Sequence, residues 1–207
     1  GSMGNEGIWN PAYYQDSEPV RKLTDISGHA VRCMYLYCGM TDVAALRNNT
    51  EYIDALNRLW NDVTLRNMYI TGGIGSSKHN EGVTKDYDLP NLEAYCETCA
   101  SVGMVFWNHR MNQITGDAKY IDILERSMYN GVLAGISLSG DRFFYVNPLE
   151  SKGDHHRQEW YGCACCPSQL SRFLPTIGNY IYAISDNALW VNLYIGNTTR
   201  FTLNGDN

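Results

Sequence analysis

Tyr52-Ile53-Asp54-Ala55-Leu56-Asn57-Arg58 and Tyr120-Ile121-Asp122-Ile123-Leu124-Glu125-Arg126 are two versions of one stretch, 68 residues apart. Each follows an apolar segment and a short polar turn, Asn48-Asn49-Thr50 in the first case and Thr115-Gly116-Asp117 in the second. Ile53, Leu56, Leu59, Trp60 and Val63 recur at helical spacing, which predicts an amphipathic helix from Glu51 to about Arg66. Its counterpart runs from Ala118 to about Ala134. The segments before them predict buried helices: Ser27 to about Arg47, apolar nearly all round from Ala30 to Met40, and Ala100 to Ile114, which is mostly apolar. A buried helix, a turn and an amphipathic helix, used twice, is the unit of a stacked repeat whose neighbours bury a shared core. An inner ring of apolar helices inside an outer ring of amphipathic ones describes an α/α toroid. The fold class is therefore mainly α, and two and a half such pairs make part of a ring rather than a closed one.

The rest of the chain is arranged around those pairs. Residues 4–25 have no clear period. Thr71-Gly72-Gly73-Ile74-Gly75-Ser76-Ser77 opens a loop that runs to about Asn91 and carries Glu81; loops of that length in compact domains tend to be functional or mobile. Phe143-Phe144-Tyr145-Val146 predicts a strand. Pro167 to about Ile184 predicts a helix that Pro175 kinks or splits. Leu189 to Ile195 and Thr199 to Leu203 predict a β-hairpin around Gly196-Asn197, the beginning of a β-module. The opening Gly1-Ser2-Met3 has the form of an expression scar.

Composition narrows the function. With 207 residues, 44% hydrophobic and 18% charged, the chain can bury a sizeable core and is not of the disordered class. Its net charge of −6, without a run of Lys or Arg, argues against nucleic acid as a partner. No stretch approaches a membrane span in length and apolarity. Fifteen Tyr and five Trp are an aromatic load that sugar clefts use, although ordinary packing accounts better for any single ring. Seven Cys is an odd number, so at least one thiol is unpaired within the chain. Unpaired thiols point to a reducing cytoplasm, and a removed leader would instead allow the periplasm.

The chemistry concentrates in Glu97-Thr98-Cys99 and Cys163-Ala164-Cys165-Cys166-Pro167. Three thiols and one carboxylate suffice for a tetrahedral zinc site. Glu97 and Cys99 are about 200° apart on an ideal helix, so they fit only an extended or irregular helix entrance. Pro167 suits a first helical turn, which puts Cys165 and Cys166 at the positive end of a helix dipole, where a thiol pKa falls even without metal. The competing reading is a set of buried free thiols, to which Cys33 and Cys38 belong. Cys96 and Cys163 lie between the two readings, Cys163 as a spare ligand. On residue type alone, Glu81 and Glu93 are solvated loop acids, His29 a cap or core residue, His109 a packing residue and His155-His156 a loop pair.

Gly72-Gly73-Ile74-Gly75-Ser76, Glu81-Gly82, Ala94-Tyr95-Cys96-Glu97-Thr98-Cys99-Ala100 and Cys165-Cys166-Pro167 occur together in this order. With Gly28-His29-Ala30-Val31-Arg32 and Phe144-Tyr145-Val146-Asn147-Pro148-Leu149, they resemble the bacterial β-L-arabinofuranosidases of glycoside hydrolase family 127 and the related family 146. The resemblance spans about residues 18 to 195. It implies a retaining glycosidase with an (α/α)6 barrel followed by β-sandwich modules. It implies Zn2+ held by Glu97, Cys99, Cys165 and Cys166, with Cys165 as nucleophile, Glu81 as acid/base, and His29 and Tyr145 facing the sugar. The partner it implies is an arabinose-containing oligosaccharide or glycopeptide. The domain division expected on that basis is a scar and irregular segment at 1–17, a partial α/α-barrel catalytic domain at 18–186 and the start of a β-module at 187–207. Cys96 departs from the pattern as an extra thiol beside the ligand pair. Missing upstream barrel helices would leave apolar faces open and favour a homo-oligomer. Three readings compete with this one: a non-catalytic zinc-stapled helical module, a thiol-redox protein using Cys163, Cys165 and Cys166, and a glycosidase of the same fold acting on another plant sugar.

Overall fold

The computed structural model describes residues 10–202. The scar-like opening, the first part of the irregular 4–25 segment and Leu203 of the expected hairpin lie outside that range.

Both expected helix pairs form. Helix α1 (Ala30–Arg47) starts at the N-cap His29, whose ring accepts the Val31 N–H at 3.2 Å. It stops at Asn48, in the left-handed conformation at φ 49°. Helix α2 (Thr50–Asp62) is capped by Asn49, whose side chain accepts the Tyr52 N–H at 3.1 Å. The second pair uses the same devices. Helix α3 (Thr98–Thr115) ends at Gly116 with φ 70°, and helix α4 (Ala118–Ser127) is capped by Asp117, which accepts the Lys119 N–H at 3.0 Å. The His29, Asn49 and Asp117 side chains each satisfy a backbone donor that the first turn leaves unpaired, while Glu97 at the start of α3 makes no such bond. The likeness goes further than the matching heptapeptides, because α2 and α4 both run on into a π turn, Val63–Asn67 and Met128–Val132.

The buried helices α1 and α3 pack on each other, and each carries its amphipathic partner on the outside. Leu56, Leu59, Met104, Trp107 and Met111 are fully enclosed between them. The Trp60 ring meets Tyr120 edge-on at 5.1 Å, and the Tyr120 hydroxyl donates to Asn57 Oδ1 at 3.3 Å, joining the first turn of α4 to the latter half of α2. A second apolar cluster, including Val102, Leu124, Met128, Phe173 and Leu193, seats helix α5 (Cys165–Phe173) against α3 and α4. The segment before α1 is fastened by Asp62, whose buried carboxylate accepts the Ile26 N–H at 2.8 Å.

Pro175 splits the last helix as expected. After Phe173 the chain tightens into a 3-10 segment, Leu174–Tyr180, because Pro175 has no N–H to continue the α ladder. Two other expectations are corrected. Phe143–Val146 is not a strand: only Phe143 makes bridges, to Ile136 and Gln158. The neighbouring backbone groups are used elsewhere. The Phe144 and Tyr145 carbonyls accept from the Thr98 hydroxyl (2.8 Å) and Thr98 N–H (2.9 Å), so they cap α3 instead of extending a sheet. The hairpin also pairs backwards, since β2 (Leu189–Val191) lies antiparallel to β1 (Tyr182–Ile184), while residues 199–202 form no strand. The tight turn closed by the Ser185 N–H to Ala188 carbonyl bond (2.9 Å) captures β2 before Gly196-Asn197 is reached.

Candidate active site

Three helix N-termini converge on one place. His29 is the N-cap of α1, Glu97 is the N-cap of α3 and Cys165 is the first residue of α5. They stand at positions 29, 97 and 165, each 68 residues after the last, which is the spacing of the matching heptapeptides. The site is thus assembled from equivalent corners of successive repeat units.

The His29 and Glu81 corner is fixed by backbone. Residues Ser77 to Gly82 form a closed turn, with Ser77 N–H to Gly82 carbonyl at 3.0 Å and the reverse bond at 3.1 Å. Gly82 bridges His29, and the Glu81 carbonyl accepts the Ala30 N–H at 3.0 Å. Two glycines permit this closeness. A Cβ on Gly82 would lie 1.7 Å from the Gly28 carbonyl oxygen, and Gly28, at φ +74°, has the Ala12 oxygen 2.1 Å from where its own Cβ would stand. Glu81 itself is held in the left-handed region at φ 49°, a conformation most residues avoid. Its Oε2 lies 3.4 Å from His29 Nε2. Burial lowers the pKa of His29, and the Glu81 charge opposes that shift.

The sulfur corner is buried. Glu97, Cys99, Cys165 and Cys166 each bring one ligand atom to within 4.8 Å of the others. Cys165 Sγ is 3.4 Å from Glu97 Oε1 and 3.1 Å from the Tyr145 hydroxyl, and Cys99 Sγ is 3.4 Å from Cys166 Sγ. Glu97 is only 2% exposed, and its Oε2 has no hydrogen-bond partner. Burial pushes its pKa up to about 8. Hydrogen bonding from Cys166 and then Cys99 holds the Cys165 thiol well below the usual range, while the same contacts raise Cys99 and Cys166. The cluster therefore favours one thiolate, on Cys165, with protonated sulfurs around it. A buried carboxylate with an unused oxygen beside three sulfurs is a donor set that a metal ion fits.

Glu97 links the two corners, since it also lies within 4.8 Å of the ligand atoms of His29 and Glu81. The six residues His29, Glu81, Glu97, Cys99, Cys165 and Cys166 thus meet in one region, with Tyr145 against Cys165. Cys96 is apart from them, packed with Tyr69 and Ala94, and burial pushes its thiol up to about 12. Cys163 is exposed, with Sγ 3.9 Å from the Tyr145 hydroxyl. His155 belongs to the supporting structure: it stacks on Phe144 at 4.6 Å and its Nε2 lies 3.0 Å from the Val146 carbonyl. His109 packs edge-on against Tyr180, in keeping with a packing role.

Sequence reasoning passed over several residues that hold the site. Asn147 Nδ2 donates to the Cys96 carbonyl (2.9 Å) and to the Thr98 hydroxyl (3.0 Å), tying the 144–147 segment to the α3 entrance. Tyr161 donates its hydroxyl to the Phe143 carbonyl (2.9 Å) and accepts the Tyr145 N–H (3.1 Å). Tyr95 meets the Tyr145 ring edge-on at 6.2 Å. Asn147 and Tyr95 sit inside motifs quoted above, so proximity in sequence to Glu97 and Tyr145 was the signal; Tyr161 offered none.

A helical-repeat domain with a cysteine–glutamate centre at its inner helix entrances is the class that fold and site define. The profile for the catalytic domain of glycoside hydrolase family 127, described as β-L-arabinofuranosidase, matches residues 3–179, and the chain belongs to that family. A non-reducing end β-L-arabinofuranosidase of Bifidobacterium longum subsp. longum is 40% identical over 208 residues, covering 94% of this chain and 32% of that protein. The solved family 127 β-L-arabinofuranosidase of Geobacillus stearothermophilus T6 is 45% identical with TM-score 0.89, over 94% of this chain and 32% of that one. Another solved family 127 β-arabinofuranosidase is 46% identical with TM-score 0.87, over 93% and 31%. The chain spans about a third of the length of these relatives.

Proposed function

We propose that this chain carries the catalytic centre of a retaining glycoside hydrolase that releases β-L-arabinofuranose from plant-derived glycans, built on part of an (α/α)6 barrel. The division at residues 18–186 and 187–207 belongs to the same proposal. The observation that carries it is Glu97, which joins a thiolate-favouring Cys165 on one side to the His29–Glu81 pair on the other.

Retaining hydrolysis needs a nucleophile on one face of the sugar and an acid/base on the other. Cys165 sulfur attacks the anomeric carbon while the bond to the leaving oxygen breaks, and Glu81 gives that oxygen its proton. Glu81 then takes a proton from water. The water oxygen bonds to the anomeric carbon, the carbon–sulfur bond breaks, and the Cys165 thiolate returns. His29 holds the Glu81 carboxyl in place at 3.4 Å, and Tyr145 steadies the Cys165 sulfur at 3.1 Å. Zinc, bound by Glu97, Cys99, Cys165 and Cys166, would keep the thiol deprotonated at neutral pH. A thiolate of lower pKa is the weaker nucleophile, so Cys165 is assigned to attack while Glu97, Cys99 and Cys166 would keep their places as donors.

The test combines zinc content with kinetics on an aryl β-L-arabinofuranoside. About one zinc per chain is expected, falling in Cys99→Ser and Cys166→Ser. Cys165→Ser should abolish turnover, and Glu81→Gln should lower it by about 10²- to 10⁴-fold. Full activity of Cys165→Ser would refute the assignment of the nucleophile.

A further inference from the structure

The Glu81 carboxylate is partly exposed, and its ionic partner among the described residues is His29 Nε2 at 3.4 Å. A glutamate on an open turn keeps its place only as well as that partner does. The cap bond sets the His29 ring at one nitrogen. Nδ1 accepts the Val31 N–H at 3.2 Å, so in the neutral ring Nε2 carries the proton and donates it towards Glu81. One bond at one atom does not stop the ring from swinging. The Tyr13 ring lies against it in a T-shaped contact, with centroids 5.3 Å apart.

Tyr13 is itself held. Pro11 to Gln15 form a tight turn, with the Tyr13 N–H on the Asn10 carbonyl at 3.0 Å and the Gln15 N–H on the Ala12 carbonyl at 3.1 Å. Gln15 pins that turn to the entrance of α1: its Nε2 donates to the Ser27 carbonyl at 2.9 Å, and its Oε1 accepts from the buried Cys33 thiol at 3.1 Å. The Ala12 carbonyl is seated against Gly28, next to His29, where there is no room for a Cβ. The Arg32 guanidinium, about one turn along α1 from His29, lies 4.7 Å from the Tyr13 ring centre and 4.6 Å from that of Tyr14. Burial, and after it the Glu81 charge, raises the pKa of the Tyr13 phenol, so this side chain belongs to the acid/base corner.

We propose that Tyr13 is a positioning residue for the acid/base: its ring, clasped by Arg32 and the 11–15 turn, fixes the His29 imidazole so that Nε2 stays on Glu81. This rests on the glycosidase reading and adds to it a residue from the segment before α1. A proton donor that wanders costs most where the leaving group needs the proton. An alkoxide leaves poorly without one, whereas para-nitrophenolate leaves with little help.

The test measures kcat/KM, which covers the step that breaks the glycosidic bond, on methyl and para-nitrophenyl β-L-arabinofuranosides. Tyr13→Ala should lower it about tenfold or more for the methyl glycoside and no more than about threefold for the para-nitrophenyl glycoside. Tyr13→Phe keeps the ring and should stay within about twofold of the parent on both. Arg32→Met, at an exposed position, should lose in the same direction, about threefold on the methyl glycoside and less on the other. Equal losses on both substrates, no loss in Tyr13→Ala, or a Tyr13→Phe chain as impaired as Tyr13→Ala would overturn the proposal. If Tyr13→Ala does not fold, Arg32→Met decides: a loss confined to the methyl glycoside upholds the proposal, and an equal loss or none refutes it. If the parent cleaves neither glycoside, the glycosidase reading has failed, and NMR of the His29 ring nitrogens decides the positioning role by itself. A single Nε2–H tautomer in the parent that becomes an average of both in Tyr13→Ala or Arg32→Met would uphold it; the same ring-nitrogen shifts in all three proteins would refute it.

Discussion

Glu97→Gln should stabilise the metal-free chain and weaken the zinc-loaded one. Glu97 is 2% exposed and has one oxygen with no partner, and burial pushes its pKa from 4.5 to about 8. The folded-state value is above the unfolded one, so the folded chain binds the extra proton. Stability is fully present below about pH 4.5 and is lost as pH rises through about 8. Between pH 4.5 and pH 7 the loss accumulates at about 1.36 kcal/mol for each step of one in pH, which comes to about 3 kcal/mol. Glutamine keeps the shape without the titration, so the metal-free variant should gain about that much at pH 7 and almost nothing near pH 4.5. Bound zinc is expected to reverse the order. At a thousandfold excess over its dissociation constant, a ligand adds about 4 kcal/mol, and the amide is a poorer ligand than the carboxylate. The assay is urea unfolding of both proteins with chelator and with zinc, at pH 5 and pH 7.5. A metal-free Glu97→Gln chain that is no more stable than its parent at pH 7.5 would refute the reasoning, because the buried carboxylate would then carry no cost to remove.

Two further perturbations examine what supports the site. Gly82→Ala puts a methyl group 1.7 Å from the Gly28 carbonyl oxygen, so the His29–Gly82 bridge must open. The expected cost is about 1–3 kcal/mol of unfolding free energy by urea titration, together with a loss of turnover larger than the stability change explains. His109 tests the packing away from the site. Burial drives its pKa down to about 4, so stability should decline as pH falls from 6.5 towards 4, by at most about 3 kcal/mol. His109→Gln should flatten that slope, and an unchanged slope would show that burial does not keep the ring neutral.

Much of the fold was legible because the repeat is written in side-chain periodicity. Asn49 and Asp117 cap the outer helices at the turns that the matching heptapeptides follow. Pro175 acts through a missing N–H, a local effect that no tertiary contact can restore. What misled was β propensity. Phe143–Val146 has the composition of a strand, yet its carbonyls are drawn off to Thr98, a partner 46 residues away in sequence for Phe144. Leu189–Val191 was assigned the wrong partner because the Ser185–Ala188 turn is a weaker sequence signal than Gly196-Asn197. At the site, ligand residue types stood out by clustering, whereas the role of Glu97 as a link to His29 and Glu81 depends on helix entrances meeting in space, which spacing alone does not show.

That convergence also bears on why a metal is expected. Each inner helix points its positive end into the site, and an anion there gains about 0.3–1 kcal/mol, about 2 in favourable partly buried geometry. The entrances of α3 and α5 sit directly at Glu97 and Cys165. At Cys165 it adds to the hydrogen bonding from Cys166 and Cys99 that holds that thiol pKa down. It covers only part of the Glu97 shift: with a pKa of about 8, raised by burial and by the Cys165 sulfur 3.4 Å away, ionisation at pH 7 still costs about 1.4 kcal/mol. Either Glu97 takes up a proton, and the carboxylate is lost as a ligand and as a link to His29, or a cation supplies the balance. Three helix dipoles and a cation favour the same ionisation state, with Glu97 and the sulfurs deprotonated together. The repeat spacing puts the dipoles there, and the Glu97 oxygen without a hydrogen-bond partner is the acceptor left open to such a cation.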